Sequence, residues 1–155
     1  MTSGYGTTYG TSVDPRATEG TLGRRFWAYL IDIVVIALIT CVLWIAIGIL
    51  GVLTLGIGWI LFGILPFTAI IYNAVTISGA SQGTIGMRMA GLRVLDATTG
   101  GRVSFIAAAV HALLFYVFVS SAGILLAIDI IFGVMRGDRR MGRDLVTNVV
   151  FVRAP

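Results

Sequence analysis

Four side chains able to carry protons or hold a polar solute lie within long apolar runs: Asp32, Asn73, His111 and Asp129. A charged carboxylate deep in a bilayer costs at least about 2.5–3.5 kcal/mol on insertion scales, so Asp32 is expected to face a bundle interior and take a partner. Two carboxylates sharing a low-dielectric layer do not readily ionise together. With a histidine beside them they make the parts of a proton-coupled path for cations. A plainer reading stands beside this one, in which an intramembrane Asp only ties helices together and Asn73 makes an interhelical hydrogen bond. A second group sits at the helix ends. Arg25 precedes Asp32 by seven residues on the same helix face, about 10 Å away along the axis, so the two do not pair directly. Arg25 is placed to hold Asp144 or to tune the local charge. Asp144, flanked by Arg140 and Arg143, suits an ion pair that anchors the terminal segment.

The elements that position these residues follow from composition. The 155 residues are 57% hydrophobic and only 12% charged, with a mean hydropathy of +0.98, whereas soluble domains carry about a quarter charged residues. Phe26–Gly48 holds one carboxylate and Gly56–Ile77 no charge at all; runs of about 20 such residues cross a bilayer core. Residues 1–23 read as a flexible Gly/Thr/Ser tail, leaving 24–155 as the membrane domain. The third apolar segment, 104–135, is 32 residues long, roughly 48 Å as one helix. Split at "SSAG", 120–123, it makes a short or re-entrant hairpin.

All eleven cations are arginines, clustered before the first span, between the second and third segments, and at the chain's end. The positive-inside rule puts all three clusters, and both termini, in the cytoplasm. Trp27 then anchors the inner interface, and Trp44 and Trp59 the outer one. In the returning hairpin His111 and Asp129 each lie about 9 Å from the cytoplasmic helix ends, as does Asp32. Asn73 arrives near that level, so four helices are expected to bring four polar groups into one layer. Between the membrane segments, "GLRVLD" and "GRVSF" flank the turn-like "ATTGG" and predict a small β-hairpin, with the terminal "TNVVFV" able to pair with it. "TIGMRMAG" predicts a short interfacial helix. The fold expected is therefore an all-α membrane bundle, with two full transmembrane helices, a broken third segment and a small cytoplasmic β-element.

Three segments, "RRFWAYLID", "QGTIGMRMAGLRVLDATTGG" and "DRRMGRDLVTNVVFV", carry a resemblance to the RDD family of small membrane proteins. The family's Arg and two Asp fall on Arg25, Asp32 and Asp144. Met87 stands where relatives often have Lys, Arg143 where they often have His, and His111 where Arg is common. The resemblance implies transport of ions or small solutes. The competing expectation is a non-catalytic accessory or assembly subunit of a larger membrane complex, and Arg-rich contact with lipid headgroups is a third. No P-loop, nucleotide fingerprint or HExxH is present, and one His with a single Cys41 gives no zinc set. No enzyme, cofactor, metal or nucleic-acid partner is expected. The expected partners are the bilayer and either further copies of the chain or a larger complex, in a prokaryotic inner membrane.

Overall fold

The computed structural model describes residues 15–154. The expected tail lies outside the described residues up to residue 14. Pro15–Thr18 form a 3-10 turn and helix α1 begins at Thr21, ahead of Arg24. Thr18 and Thr21 are buried, and Arg153 Nε donates to the Glu19 carbonyl at 2.7 Å, so this stretch packs against the end of the chain.

Helix α1 runs Thr21–Leu53. After a turn at 54–56 the chain returns as a 3-10 segment, Ile57–Phe67, that passes into α2, Thr68–Ser78. Both arms are long and apolar enough to cross a membrane. Backbone groups in hydrocarbon have no water to bond, which makes continuous helices the available solution. Apolar side chains such as Leu38, Val42 and Ile49 are exposed around the outer half of α1, as a lipid-facing helix requires. Close approach holds the outer turn. A Cβ on Gly51 would strike the Trp59 ring, and one on Gly58 would sit 2.9 Å from the Leu50 backbone.

The third segment breaks as its sequence suggests. Helices α4, Phe105–Ser120, and α5, Ile124–Met135, meet at 118°. Ala122 and Gly123 both take positive φ between them, a conformation that glycine adopts freely and other residues seldom do.

At the Arg-rich end lie α3, Ile85–Met89; strand β1, Leu92–Asp96; α6, Gly142–Val146; and strand β2, Val149–Arg153. The expected hairpin between "GLRVLD" and "GRVSF" does not form. β1 pairs antiparallel with β2 instead, Leu92 opposite Arg153 and Asp96 opposite Val149. The turn itself is present, with the Thr98 and Thr99 N–H groups donating to Asp96 at 2.9 Å. The chain beyond it is claimed by α4: Val103 is buried and Ser104 caps the helix by accepting from the Ala107 N–H. The core gathers here as well, with Ile77, Val94, Val103, Ala108, Val149 and Phe151 in one cluster. Val150 and Val152 are buried on the opposite face of β2, which explains the unbroken apolar run in that strand.

Candidate functional site

Asp32 is held by neutral donors. Its Oδ1 accepts from the Tyr72 hydroxyl at 2.8 Å and the Gly86 N–H at 2.9 Å, and its Oδ2 from the Thr84 hydroxyl at 2.5 Å. The same atoms satisfy the first turn of α3, whose N–H groups would otherwise lack partners. The Ile85 N–H donates to the Tyr72 oxygen and the Met87 N–H to the Thr84 cap. Gly86 makes this possible: a Cβ there would strike the Ala28 carbonyl and lie 2.8 Å from the Asp32 carboxyl carbon. An aspartate early in a membrane helix thus docks a short helix onto its flank.

Asp144 is held by charge. It is fully buried, and its Oδ2 accepts from Arg25 Nη1 at 2.5 Å and from the Met141 N–H at 3.0 Å. Burial pushes its carboxyl up, but the charges of Arg25 and Arg143 pull harder and leave it below the usual carboxylate range. Arg25 also lies over the Phe151 ring at 3.7 Å. Its pairing with Asp144 is one of the two roles the sequence suggests for it.

His111 stands between these groups. Its Nδ1 is 3.1 Å from Thr147 Oγ1, whose hydroxyl donates to the Arg143 carbonyl. That hydroxyl has one proton to give, so Nδ1 is the donor to it and Nε2 carries the lone pair. Nε2 faces Asp144 Oδ1 at 3.8 Å, an oxygen with no hydrogen-bond partner among the described residues. Asp129 pairs with Arg143, Oδ2 to Nη1 at 3.1 Å, and accepts from the Arg143 backbone N–H at 3.3 Å.

Three of the four expected layer residues, Asp32, Asn73 and His111, line one cavity of about 80 Å³. Arg25 and Arg143 line it too, as do Tyr29, Phe115 and Tyr116, with the Arg143 guanidinium over the Phe115 ring at 4.9 Å. Asp129 does not: it lies behind Arg143, because the bend between α4 and α5 swings α5 toward α6. Asn73 uses one amide proton within its own helix, on the Ala69 carbonyl, and its side chain is on the cavity wall.

The tryptophans lie on the exterior. Trp27 is exposed beside Phe26, Trp44 packs near Phe62, and Trp59 donates to the Gly48 carbonyl at 3.4 Å. Sequence reasoning missed Tyr72, Thr84, Gly86 and Thr147 as partners, and Arg143 as the partner of Asp129. Only Thr84 carried a signal, as a cap residue directly before a short helix.

Two apolar arms, a bent third segment and a buried Arg/Asp cluster at one end define a small multi-helix membrane protein. The chain belongs to the RDD family, whose model matches residues 20–148. Arg25, Asp32 and Asp144 lie within that match, yet they form two separate sites rather than one triad. No curated protein and no solved structure matches the chain.

Proposed function

We propose that this protein carries a small polar solute across a prokaryotic inner membrane with movement of a proton, the Arg-rich end and both termini facing the cytoplasm. The observation that carries the reading is a cavity between α1, α2 and α4, closed by residues of α3, α6 and β2, whose mainly apolar wall carries the polar side chains Arg25, Asp32, Asn73, His111 and Arg143. Ionisable groups at membrane depth mark solute and proton paths by default. His111 supplies the proton step: its Nε2 is open to accept, and a proton there would bridge to the unpartnered Asp144 Oδ1. Asp32 serves the site by positioning, since three donors already occupy its oxygens. A bare cation would need free carboxylate oxygens, and Asp32, the acid on the cavity wall among the described residues, already has its oxygens taken, which favours a polar solute over a metal cation. With so few helices in one chain, a homo-oligomer completes the enclosure. The protein acts as a carrier and not as an enzyme.

The test is pH-gradient-driven uptake of radiolabelled lactate, Na⁺ and Rb⁺ into proteoliposomes, comparing wild type with His111→Asn and checking each sample's melting temperature. Uptake lost in a variant of unchanged stability supports the reading. No uptake by wild type, together with a larger membrane partner co-purifying in fixed ratio, would replace it with the accessory-subunit reading.

A further inference from the structure

We infer that the cavity between α1, α2 and α4 is a binding site for a short-chain carboxylate, held by the Nε edges of Arg25 and Arg143. The inference names the solute class of the transport reading and rests on it for the site's use in flux, while its test reads binding alone.

The charged donors on the cavity wall are the guanidinium groups of Arg25 and Arg143, and the acceptors left on it are neutral: the Asn73 amide oxygen, the Tyr29 and Tyr116 hydroxyls and His111 Nε2. Asp32 is the acid that reaches it, and hydroxyl and backbone donors already take up its oxygens. The two arginine side chains are 9% and 8% exposed. Their terminal nitrogens are engaged elsewhere: Arg25 with Asp144 and the Arg139 carbonyl, Arg143 with Asp129 and the Met141 sulfur. Each nevertheless keeps a buried Nε–H with no partner among the described residues. An unsatisfied buried donor is costly, and more so when charged, so an acceptor arriving there removes a standing penalty. A carboxylate suits guanidinium edges because its two oxygens lie in one plane and accept charge-assisted bonds.

Size and lining narrow the class. A water needs about 10–15 Å³ of such space, so a cavity of about 80 Å³ holds several waters or an acid of a few heavy atoms. The aromatic side chains Tyr29, Phe115 and Tyr116 offer an apolar wall for a short alkyl tail. Arg25 and Arg143 share their charge with Asp144 and Asp129. The attraction therefore comes from oriented N–H groups, and affinity in the range of about 1 mM is expected, on the order of 4 kcal/mol.

The experiment is calorimetric titration of the full-length protein in phosphatidylcholine nanodiscs with sodium acetate and sodium propionate, against sodium chloride at equal ionic strength. One saturable site is expected, with propionate at least as tight as acetate. Arg143→Gln should weaken binding on the order of tenfold, the loss of one charged hydrogen bond. Arg143→Lys keeps a charge for Asp129 but has no Nε–H, and should weaken binding several-fold in a protein that its melting transition shows to be folded. Arg93→Gln, on an exposed position of β1, should bind as wild type. Absence of saturable binding to folded wild type would overturn the inference, as would equal weakening in Arg93→Gln. Inorganic phosphate or phosphatidylglycerol nanodiscs competing more strongly than propionate would overturn it in favour of a phosphate or lipid-headgroup site. Carboxylate binding without lactate uptake would leave the site standing and remove the transport reading.

Discussion

Asp32 and Asp144 are the same residue, both buried, and the protein keeps them by opposite means. Asp32 receives two hydroxyls and a backbone N–H, whereas Asp144 receives a guanidinium. The difference follows neighbourhood. Asp32 is enclosed by α2 and the first turn of α3, where an arginine partner would have to be desolvated in turn at a cost of several kcal/mol. Hydroxyl and amide donors escape most of that cost. Asp144 sits at the Arg-rich end under the sheet, where long arginine side chains reach inward along apolar stems. The first site joins elements by geometry, the second by charge.

The comparison breaks most easily at Asp144. Asp144→Asn strands the Arg25 charge in a buried site and is expected to cost about 3–5 kcal/mol, read by unfolding in detergent micelles. Acid should do the same to the wild type. The Asp144 carboxyl lies below its unfolded value, so its contribution is complete above the unfolded pKa of about 3.9 and is lost as pH falls through the folded one. Asp96 and Asp138 are also held low, Asp96 chiefly by the Thr99 N–H and Asp138 by Arg136 against the opposing effect of burial. Subtracting the acid profile of Asp144→Asn from that of wild type isolates the one group. Asp32→Asn strands no cation and should cost less, about 1–3 kcal/mol for imperfectly replaced hydrogen bonds. Equal losses at the two positions would show that charge is not what separates the sites. Gly86→Ala sharpens the geometric side: crowding against Ala28 should cost about 1–3 kcal/mol and raise amide exchange in α3. Gly23→Ala, with open space around the added carbon, should be neutral or slightly stabilising by about 0.5 kcal/mol.

The spans, the break at 120–123 and the apolar terminal strand are legible in the sequence because each is a local matter of run length, turn residues and β-branched content. The partners of Asp32 are not. Tyr72, Thr84 and Gly86 lie 40, 52 and 54 residues away, and nothing local marks a hydroxyl as a carboxylate donor. Of the four residues expected in one layer, Asp32, Asn73 and His111 line one cavity and Asp129 is not on its wall, for one reason. Counting rise per residue from a common plane assumes helices that stand side by side, and α5 leaves α4 at 118°. The false hairpin at 92–105 has a similar origin. Its turn is encoded locally, but whether the chain continues as strand or helix is decided by Ser104 and the core position of Val103.

The separation of the two sites along the chain has a consequence for synthesis. Asp32 has its last donor once residue 86 has been made, so the first helical pair and α3 can close around it while the ribosome is still translating. Arg25 must wait for Asp144, 119 residues after it, which at about 5–20 residues per second is roughly 6–24 s. During that interval the headgroups or the insertion machinery have to shelter a cation later buried under β2. Any delay in the last two dozen residues leaves a half-built protein whose membrane hairpin is finished and whose Arg-rich end is open.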